Sequence, residues 1–279
     1  MKTTEQRVPS DGVTLSVLEH GPAGTERETV VLVHGYPDDQ SVWRPLLEAL
    51  PHDELHLVTY DVRGAGRSEV PADVSGYRTE RLVDDLVAVL DAVLPEGRRA
   101  HLVGHDWGSV QLWDGVAAER TDPRLRGRIA SFTSISGPSL DHLAWLSRHH
   151  DGRRGALLRQ SLHSWYVYAI QVPVLPDLVW RAAAAVIGRR GSNGAHGLNL
   201  YRANVLRRMR RPNELRVDVP VLVVHPRRDA FLTSVVLEDL DEHCRDVRVV
   251  EVDAGHWAIR THADEVATLV TDHIRTHTQ

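Results

Sequence analysis

The chain has 279 residues, of which 42% are hydrophobic and 25% charged, and its formal net charge is -5. This composition is typical of a globular protein and excludes disorder and collagen-like repeats, and the length fits one large α/β domain or two small ones. A mildly acidic chain has no overall field that would hold nucleic acid or an anionic membrane, and a single cysteine, Cys244, excludes an intrachain disulfide.

The predicted elements alternate between strands and helices, which indicates βαβ units and a mostly parallel sheet. Short β-branched runs are typical of buried parallel strands, and apolar residues at helical spacing are typical of amphipathic helices. Strands are predicted at Val13–Leu18, Thr29–Val33, Leu55–Tyr60, Ala100–Val103, Ile129–Ile135, Val219–Val224 and Val247–Val252. Helices are predicted at Trp43–Leu50, Thr79–Leu94, Ser109–Ala118 and Ala263–Ile274.

The strand pattern stops between Gly137 and about Pro212, where helical spacing takes over. The sequence therefore predicts an α/β core formed by residues 1–136 and 213–279, with a helical insertion at 137–212. The arginine run at 207–211 predicts a solvent-exposed helix face.

No stretch of 18 or more apolar residues occurs, so no membrane span is expected. The first residues, 1–7, lack the apolar segment of a signal peptide, which favours a cytoplasmic protein. The oligomeric state stays open, with a homodimer as one option.

The motif that points to chemistry is Gly104-His105-Asp106-Trp107-Gly108, between a predicted strand and a predicted helix. This is the context of a nucleophile elbow, in which glycines permit a sharp turn that exposes the central side chain. An aspartate attacking an ester would form an unproductive anhydride. An aspartate attacking a tetrahedral carbon forms an alkyl ester that water can hydrolyse, so the pattern predicts a leaving group on an sp³ carbon.

A second motif, His34-Gly35-Tyr36-Pro37, follows the first buried strand. A loop at this place supplies one backbone N–H of an oxyanion hole, and the residue after the nucleophile supplies the other. The predicted donors are the backbone N–H groups of Tyr36 and Trp107, which would act when water attacks the ester on Asp106.

A general base is predicted just beyond the last strand, at His256 in Asp253-Ala254-Gly255-His256-Trp257. A carboxylate that holds the imidazole in one tautomer is expected on a nearby loop. Asp229 follows the strand Val219–Val224 and is favoured by its loop position, with Asp253 as the competitor.

These motifs, in this order, resemble those of the α/β-hydrolase superfamily, and in particular its epoxide hydrolase branch. The resemblance covers nearly the whole chain and includes the stretch Asp61–Ser68, a structural loop in that family. It implies an α/β-hydrolase fold with a helical cap at 137–212, and an activity that converts a small-molecule epoxide and water into a diol. It implies no cofactor and no metal. Gln171–Arg181 and Gly197–Asn204 also resemble the hydrolase part of actinobacterial fusion proteins that append a short-chain dehydrogenase.

The resemblance assigns two tyrosines of the insertion to the epoxide oxygen. Tyr166, in a stretch that runs from Ser164 to Pro173, and Tyr201, in Asn199–Asn204, match the two cap motifs of epoxide hydrolases. A phenol with a pKa of about 10 stays protonated at neutral pH and can donate to the oxygen. Tyr168 is a substitute that would face elsewhere on the helix. Three aromatic residues are expected to be core residues: Trp165, Tyr168 and Trp180.

Two other functions stay open at this point. Haloalkane dehalogenases share the aspartate nucleophile followed by Trp, but usually have Asn after His-Gly, where this chain has Tyr36. A non-catalytic ligand-binding protein on the same fold would be marked by a broken triad, whereas here the residues for all three positions are present.

Overall fold

The computed structural model describes residues 3–21, 27–149, 151–172 and 174–278, so Met1, Lys2 and Pro173 lie outside the described residues. The strands are β1 (Thr3–Ser10), β2 (Val13–His20), β3 (Glu28–Val33), β4 (Leu55–Tyr60), β5 (Ala100–His105), β6 (Ile129–Ile135), β7 (Val221–Pro226) and β8 (Val247–Val252). They form one sheet in the order β1-β2-β4-β3-β5-β6-β7-β8.

The helices lie before, between and after the strands. They are α1 (Arg44–Ala49), α2 (Thr79–Val93), α3 (Trp107–Ala118), α4 (Leu140–Arg148), α5 (Arg154–His163), α6 (Trp165–Ile170), α7 (Leu175–Ile187), α8 (Arg189–Arg210), α9 (Ala258–Thr261) and α10 (Ala263–His277). Within the described residues, no helix is both long and apolar enough to cross a membrane.

The sheet is parallel from β4 to β8, and only the pairs β1–β2 and β2–β4 are antiparallel. Alternate residues of β3 belong to two separate hydrophobic clusters, Val31 and Val33 to one and Val30 and Leu32 to the other. Helices therefore cover both faces of the sheet, as parallel strands require. The predicted fold class, a mostly parallel α/β sheet flanked by helices, is confirmed.

The first strand, β1, has no counterpart among the predicted strands. Its sequence is polar and contains Pro9, and most of its side chains are exposed. An edge strand that is paired on one side needs no continuous apolar run, and proline is tolerated there. Its pairing with β2, from Thr3–His20 to Ser10–Val13, holds it in the sheet.

Helices α4 to α8 lie between β6 and β7, and the described part of this segment contains no strand. A buried ion cluster joins α8 to the rest of the chain. Arg208 donates to Asp141 of α4, at 2.5 Å, to Asp114 of α3, at 2.5 Å, and to Thr79 of α2, at 2.8 Å. The expectation that the arginine run forms a solvent-exposed face is wrong for Arg208, which these partners draw inward.

Candidate active site

Asp106 occupies a strained turn between β5 and α3. Its φ of 53° lies in the left-handed region, which is unusual for a residue with a side chain. Gly108 packs so closely that an added Cβ would overlap the Val33 carbonyl oxygen, and one on Gly104 would overlap the Ser109 backbone. The two glycines thus permit the close approach of helix and strand, and strained backbone of this kind is typical of functional sites.

The Asp106 carboxylate is held by the loop after β3. The backbone N–H of Tyr36 donates to Asp106 Oδ1 at 2.6 Å. An added Cβ on Gly35 would overlap the Asp106 side chain, so this loop position also requires glycine. Trp107 is the first residue of α3, where backbone N–H groups have no partner within the helix. Its role as second oxyanion donor stays a prediction.

His256 lies between two carboxylates. Its Nδ1 is 2.8 Å from Asp229 Oδ2, and its Nε2 is 3.4 Å from Asp106 Oδ2. Asp229 Oδ1 accepts from the backbone N–H groups of Phe231 and Leu232, at 2.8 and 3.2 Å, so the carboxylate is fixed from both sides. The arrangement orients the imidazole with Nε2 toward Asp106.

The electrostatics of this arrangement favour a charged imidazole. Burial by itself would lower the pKa of His256, but the hydrogen bonds and charges of Asp106 and Asp229 outweigh it and raise the pKa to about 9. Burial likewise opposes ionisation of Asp229, but its bond to His256 prevails and lowers the pKa of that carboxyl. Each group thus stabilises the charge of its neighbour.

The competitor for the orienting role lies elsewhere. Asp253 is well exposed, and its carboxylate is 3.2 Å from Nε of Arg228. The structure thus brings Asp229, and not Asp253, into contact with His256.

Two residues outside the predicted site, His105 and Ser136, hold the His256 backbone. His105 Nε2 and Ser136 Oγ donate to the His256 carbonyl oxygen at 3.0 and 3.2 Å. Burial and the neighbouring His256 lower the pKa of His105 to about 4, so it is neutral. The place of His105 directly before Asp106 was the signal that could have identified it.

A cavity of about 550 Å³ lies over Asp106 and His256. Tyr166 and Tyr201, from α6 and α8, line it, and their ring centroids are 6.0 Å apart. Burial raises the pKa of both phenols, and the charge of Asp106 raises it further, so both stay protonated. The apolar part of the wall is formed by Val110, Leu140, Leu143, Leu157, Leu158, Val167, Val205, Leu206, Met209, Phe231 and Leu232.

The expectation of a core position is wrong for two of the three other aromatic residues. Trp165 and Tyr168 are 67% and 60% exposed, although Tyr168 also contributes to the cavity wall. Trp180 is half-buried and packs edge-on against Tyr36, with ring centroids 5.9 Å apart. Helical spacing places a side chain on a face of its helix but does not tell which face another element covers.

The described residues contain no group of three or more histidine, cysteine, aspartate or glutamate side chains that could hold a metal ion. What the arrangement offers is a carboxylate, an oriented imidazole, a backbone N–H donor and two neutral phenols around one cavity. This set can carry out nucleophilic displacement followed by assisted hydrolysis.

Comparison with known proteins supports the same assignment of fold. The chain is 31% identical over 290 residues to the probable oxidoreductase EphD of Mycobacterium tuberculosis, a match that covers 94% of this chain and 48% of EphD, so the chain spans about half the length of that relative. It is 38% identical over 138 residues to epoxide hydrolase A of the same organism, which covers 49% of this chain and 39% of that protein.

Among solved structures, an inhibitor complex of a Bacillus megaterium epoxide hydrolase matches with a TM-score of 0.76 and 19% identity, over 97% of this chain and all of that one. The family model described as alpha/beta hydrolase fold matches residues 28–263. Since that match spans most of the sheet, the elbow and the His256 loop, the chain belongs to the α/β-hydrolase fold family.

Proposed function

We propose that this protein is an epoxide hydrolase, which converts an epoxide and water into a vicinal diol. The observation that carries the proposal is a carboxylate at the elbow that shares one cavity with two protonated tyrosines. A carboxylate nucleophile selects a tetrahedral carbon, and a phenol donor suits an oxygen leaving group better than a halide. The similarity to proteins named epoxide hydrolase supports this choice.

In the first step, an oxygen of Asp106 attacks one ring carbon of the epoxide. The C–O bond of the ring breaks, and Tyr166 or Tyr201 gives its proton to the released oxygen. The product is a hydroxyalkyl ester of Asp106. The bond between Tyr36 N–H and Oδ1 supports the proposal because it leaves Oδ2 as the attacking oxygen.

In the second step, His256 takes a proton from water, and the hydroxide attacks the carboxyl carbon of Asp106. The Tyr36 N–H and, as predicted, the Trp107 N–H stabilise the resulting oxyanion. The intermediate collapses to the diol and the Asp106 carboxylate, and His256 is left as the imidazolium of the resting protein. Esterification had removed the Asp106 charge that raises the pKa of His256, so before this step the resting imidazolium gives its proton to the tyrosinate and becomes the free base.

We further propose that residues 1–136 and 213–279 form the catalytic core and that residues 137–212 form a cap. The core would supply Asp106, Asp229 and His256, and the cap would supply Tyr166 and Tyr201. The position of α4 to α8 between β6 and β7 supports this division, as does the cavity, which residues of both parts line.

The test separates the two steps. His256→Ala should still open the ring once and then stall, so intact-mass measurement should show one substrate added on the peptide that carries Asp106. In the wild type, a single turnover in heavy-oxygen water should label Asp106 and leave the first diol unlabelled. Label in the first diol would mean that water attacks the ring directly, and bromo- and chloroalkanes turned over in place of epoxides would contradict the proposed substrate.

A further inference from the structure

The cap carries an apolar stripe that faces solvent. Its members are Leu158, Leu162, Trp165, Tyr168 and Val172, three or four residues apart along α5, α6 and the turn that follows, and each is 50–67% exposed. Folded proteins rarely leave large side chains exposed in a continuous row, and such a row marks an interaction surface. We call these five residues the cap stripe.

A second exposed row lies on the next helix. Leu175, Leu178, Val179 and Val186 of α7 are all more than half exposed. The apolar exposure therefore extends over three consecutive helices of the segment that also carries Tyr166.

The charge of this segment is opposite to that of the rest of the chain. Residues 137–212 contain twelve arginines and three aspartates, a net charge of +9, so the remaining residues carry -14. Several of the arginines have acidic partners, among them Arg202 and Arg208. Arg154, Arg159 and Arg181 of α5 and α7 are exposed, and in the described part of the chain none of them forms a side-chain hydrogen bond or salt bridge. Arg181 is near enough to Asp177 for its charge to lower the pKa of that carboxyl.

The cap stripe is continuous with the cavity over Asp106. Leu158 and Tyr168 are exposed on the stripe and also line the cavity, and Arg154 stands at the same wall. A molecule in contact with the stripe therefore meets an apolar path to the cavity.

We propose that the cap stripe docks on an anionic lipid surface. Exposed Trp, Tyr and Leu side chains next to arginines have the composition of helices that lie in the interface of a membrane. Tyrosine and tryptophan are favoured at the level of the lipid headgroups, and each arginine near an anionic surface adds attraction. If the proposed function holds, an epoxide dissolved in the lipid would enter the cavity from that surface.

The alternative to lipid is that the cap stripe binds a second copy of the chain. Two copies meeting at their cap stripes would bring two positively charged segments together, and like charge opposes association. The exposed arginines thus favour an anionic partner over self-association.

Co-sedimentation with vesicles tests the docking. The wild type should bind vesicles of phosphatidylcholine mixed with phosphatidylglycerol more tightly than vesicles of phosphatidylcholine alone. The double variant Leu162→Ser/Trp165→Ser should bind about tenfold more weakly or worse, because two large apolar side chains no longer enter the lipid. The matched control is Val70→Ser/Val249→Ser, which removes two exposed apolar side chains outside the cap.

A second pair of substitutions, Arg159→Gln and Arg181→Gln, tests whether the positive charge of the cap contributes to binding. Each substitution should reduce the affinity for the mixed vesicles about fivefold at low salt, with little change for the neutral ones. None of the residues substituted in these vesicle-binding variants and their control lines the cavity. Hydrolysis of a small water-soluble epoxide should therefore stay at the wild-type rate in every variant. Absence of all epoxide turnover would refute the proposed function without affecting the binding result.

Three results would overturn the docking proposal. The wild type could fail to sediment with the mixed vesicles, or the control variant could lose as much affinity as Leu162→Ser/Trp165→Ser. Alternatively, light scattering could show a wild-type dimer that the Leu162→Ser/Trp165→Ser variant dissolves, which would assign the face to a second copy.

Discussion

His256 Nε2 lies 3.4 Å from Oδ2 of Asp106, so the proposed base and the proposed nucleophile form an ion pair in the resting protein. This contact and the bond to Asp229 raise the pKa of His256 to about 9, from an ordinary value of 6.5. The proximity that stabilises the imidazolium also makes its basicity depend on the state of Asp106.

The titration of His256 should therefore respond to Asp106. In Asp106→Asn, burial still disfavours the imidazolium and one of the two charges that favour it is gone, so the pKa should fall clearly below about 9. Nuclear magnetic resonance of the imidazole protons during a pH titration measures it. Because the pKa of His256 is higher in the folded protein than in the unfolded chain, its protonation adds to the free energy of unfolding. This contribution is complete below pH 6.5 and is lost as the pH rises through about 9. An unchanged pKa in Asp106→Asn would contradict this coupling.

The two cap tyrosines should each matter for ring opening. Tyr166→Phe and Tyr201→Phe should each lower kcat by about 10²–10³, the cost of losing one donor to a developing oxyanion. Tyr168→Phe is the control, because this side chain is 60% exposed and the variant keeps the ring, and its kcat should stay close to the wild type. Pre-steady-state formation of the alkyl-enzyme is the measurement. A large loss in Tyr168→Phe alone would transfer the donor role to Tyr168.

Asp229 and Asp253 should differ sharply in their effect on the second step. Asp229→Asn removes the charge that supports the imidazolium and favours the wrong tautomer, which costs a triad about 10⁴-fold. The alkyl-enzyme should accumulate in this variant, as seen by mass spectrometry. Asp253→Asn changes an exposed carboxylate that pairs with Arg228 and should turn over like the wild type. Equal losses in both variants would refute the assignment of Asp229.

The elbow should tolerate no side chain at Gly108. An added methyl group would overlap the Val33 carbonyl oxygen, so Gly108→Ala should lower the free energy of unfolding by more than about 2 kcal/mol. Gly155→Ala is the matched control, since nothing lies within 4 Å of its added Cβ and the residue is part of α5. It should leave stability unchanged or raise it by up to about 1 kcal/mol. Urea unfolding followed by circular dichroism measures both variants.

The sequence predicted the buried part of the fold well because burial leaves a local pattern. Strands β3 and β7 contain the buried runs Val30–Val33 and Val221–Val224, which are apolar without interruption. The edge strand β1 leaves no such pattern, because Val8 is its only buried side chain and its other residues are held by pairing with β2. Local sequence therefore predicts strands whose side chains are buried, and it misses an edge strand that is held mainly by backbone pairing.

By itself, the sequence determined the order of strands and helices, the elbow around Asp106 and the presence of a histidine and carboxylates beyond late strands. Only the tertiary structure decided which carboxylate reaches His256, since Asp229 and Asp253 both follow strands and differ in where their loops turn. It also decided that Arg208 is buried and Trp165 exposed. Such choices depend on which distant element covers a given side chain, and helical or strand spacing carries no information about that partner.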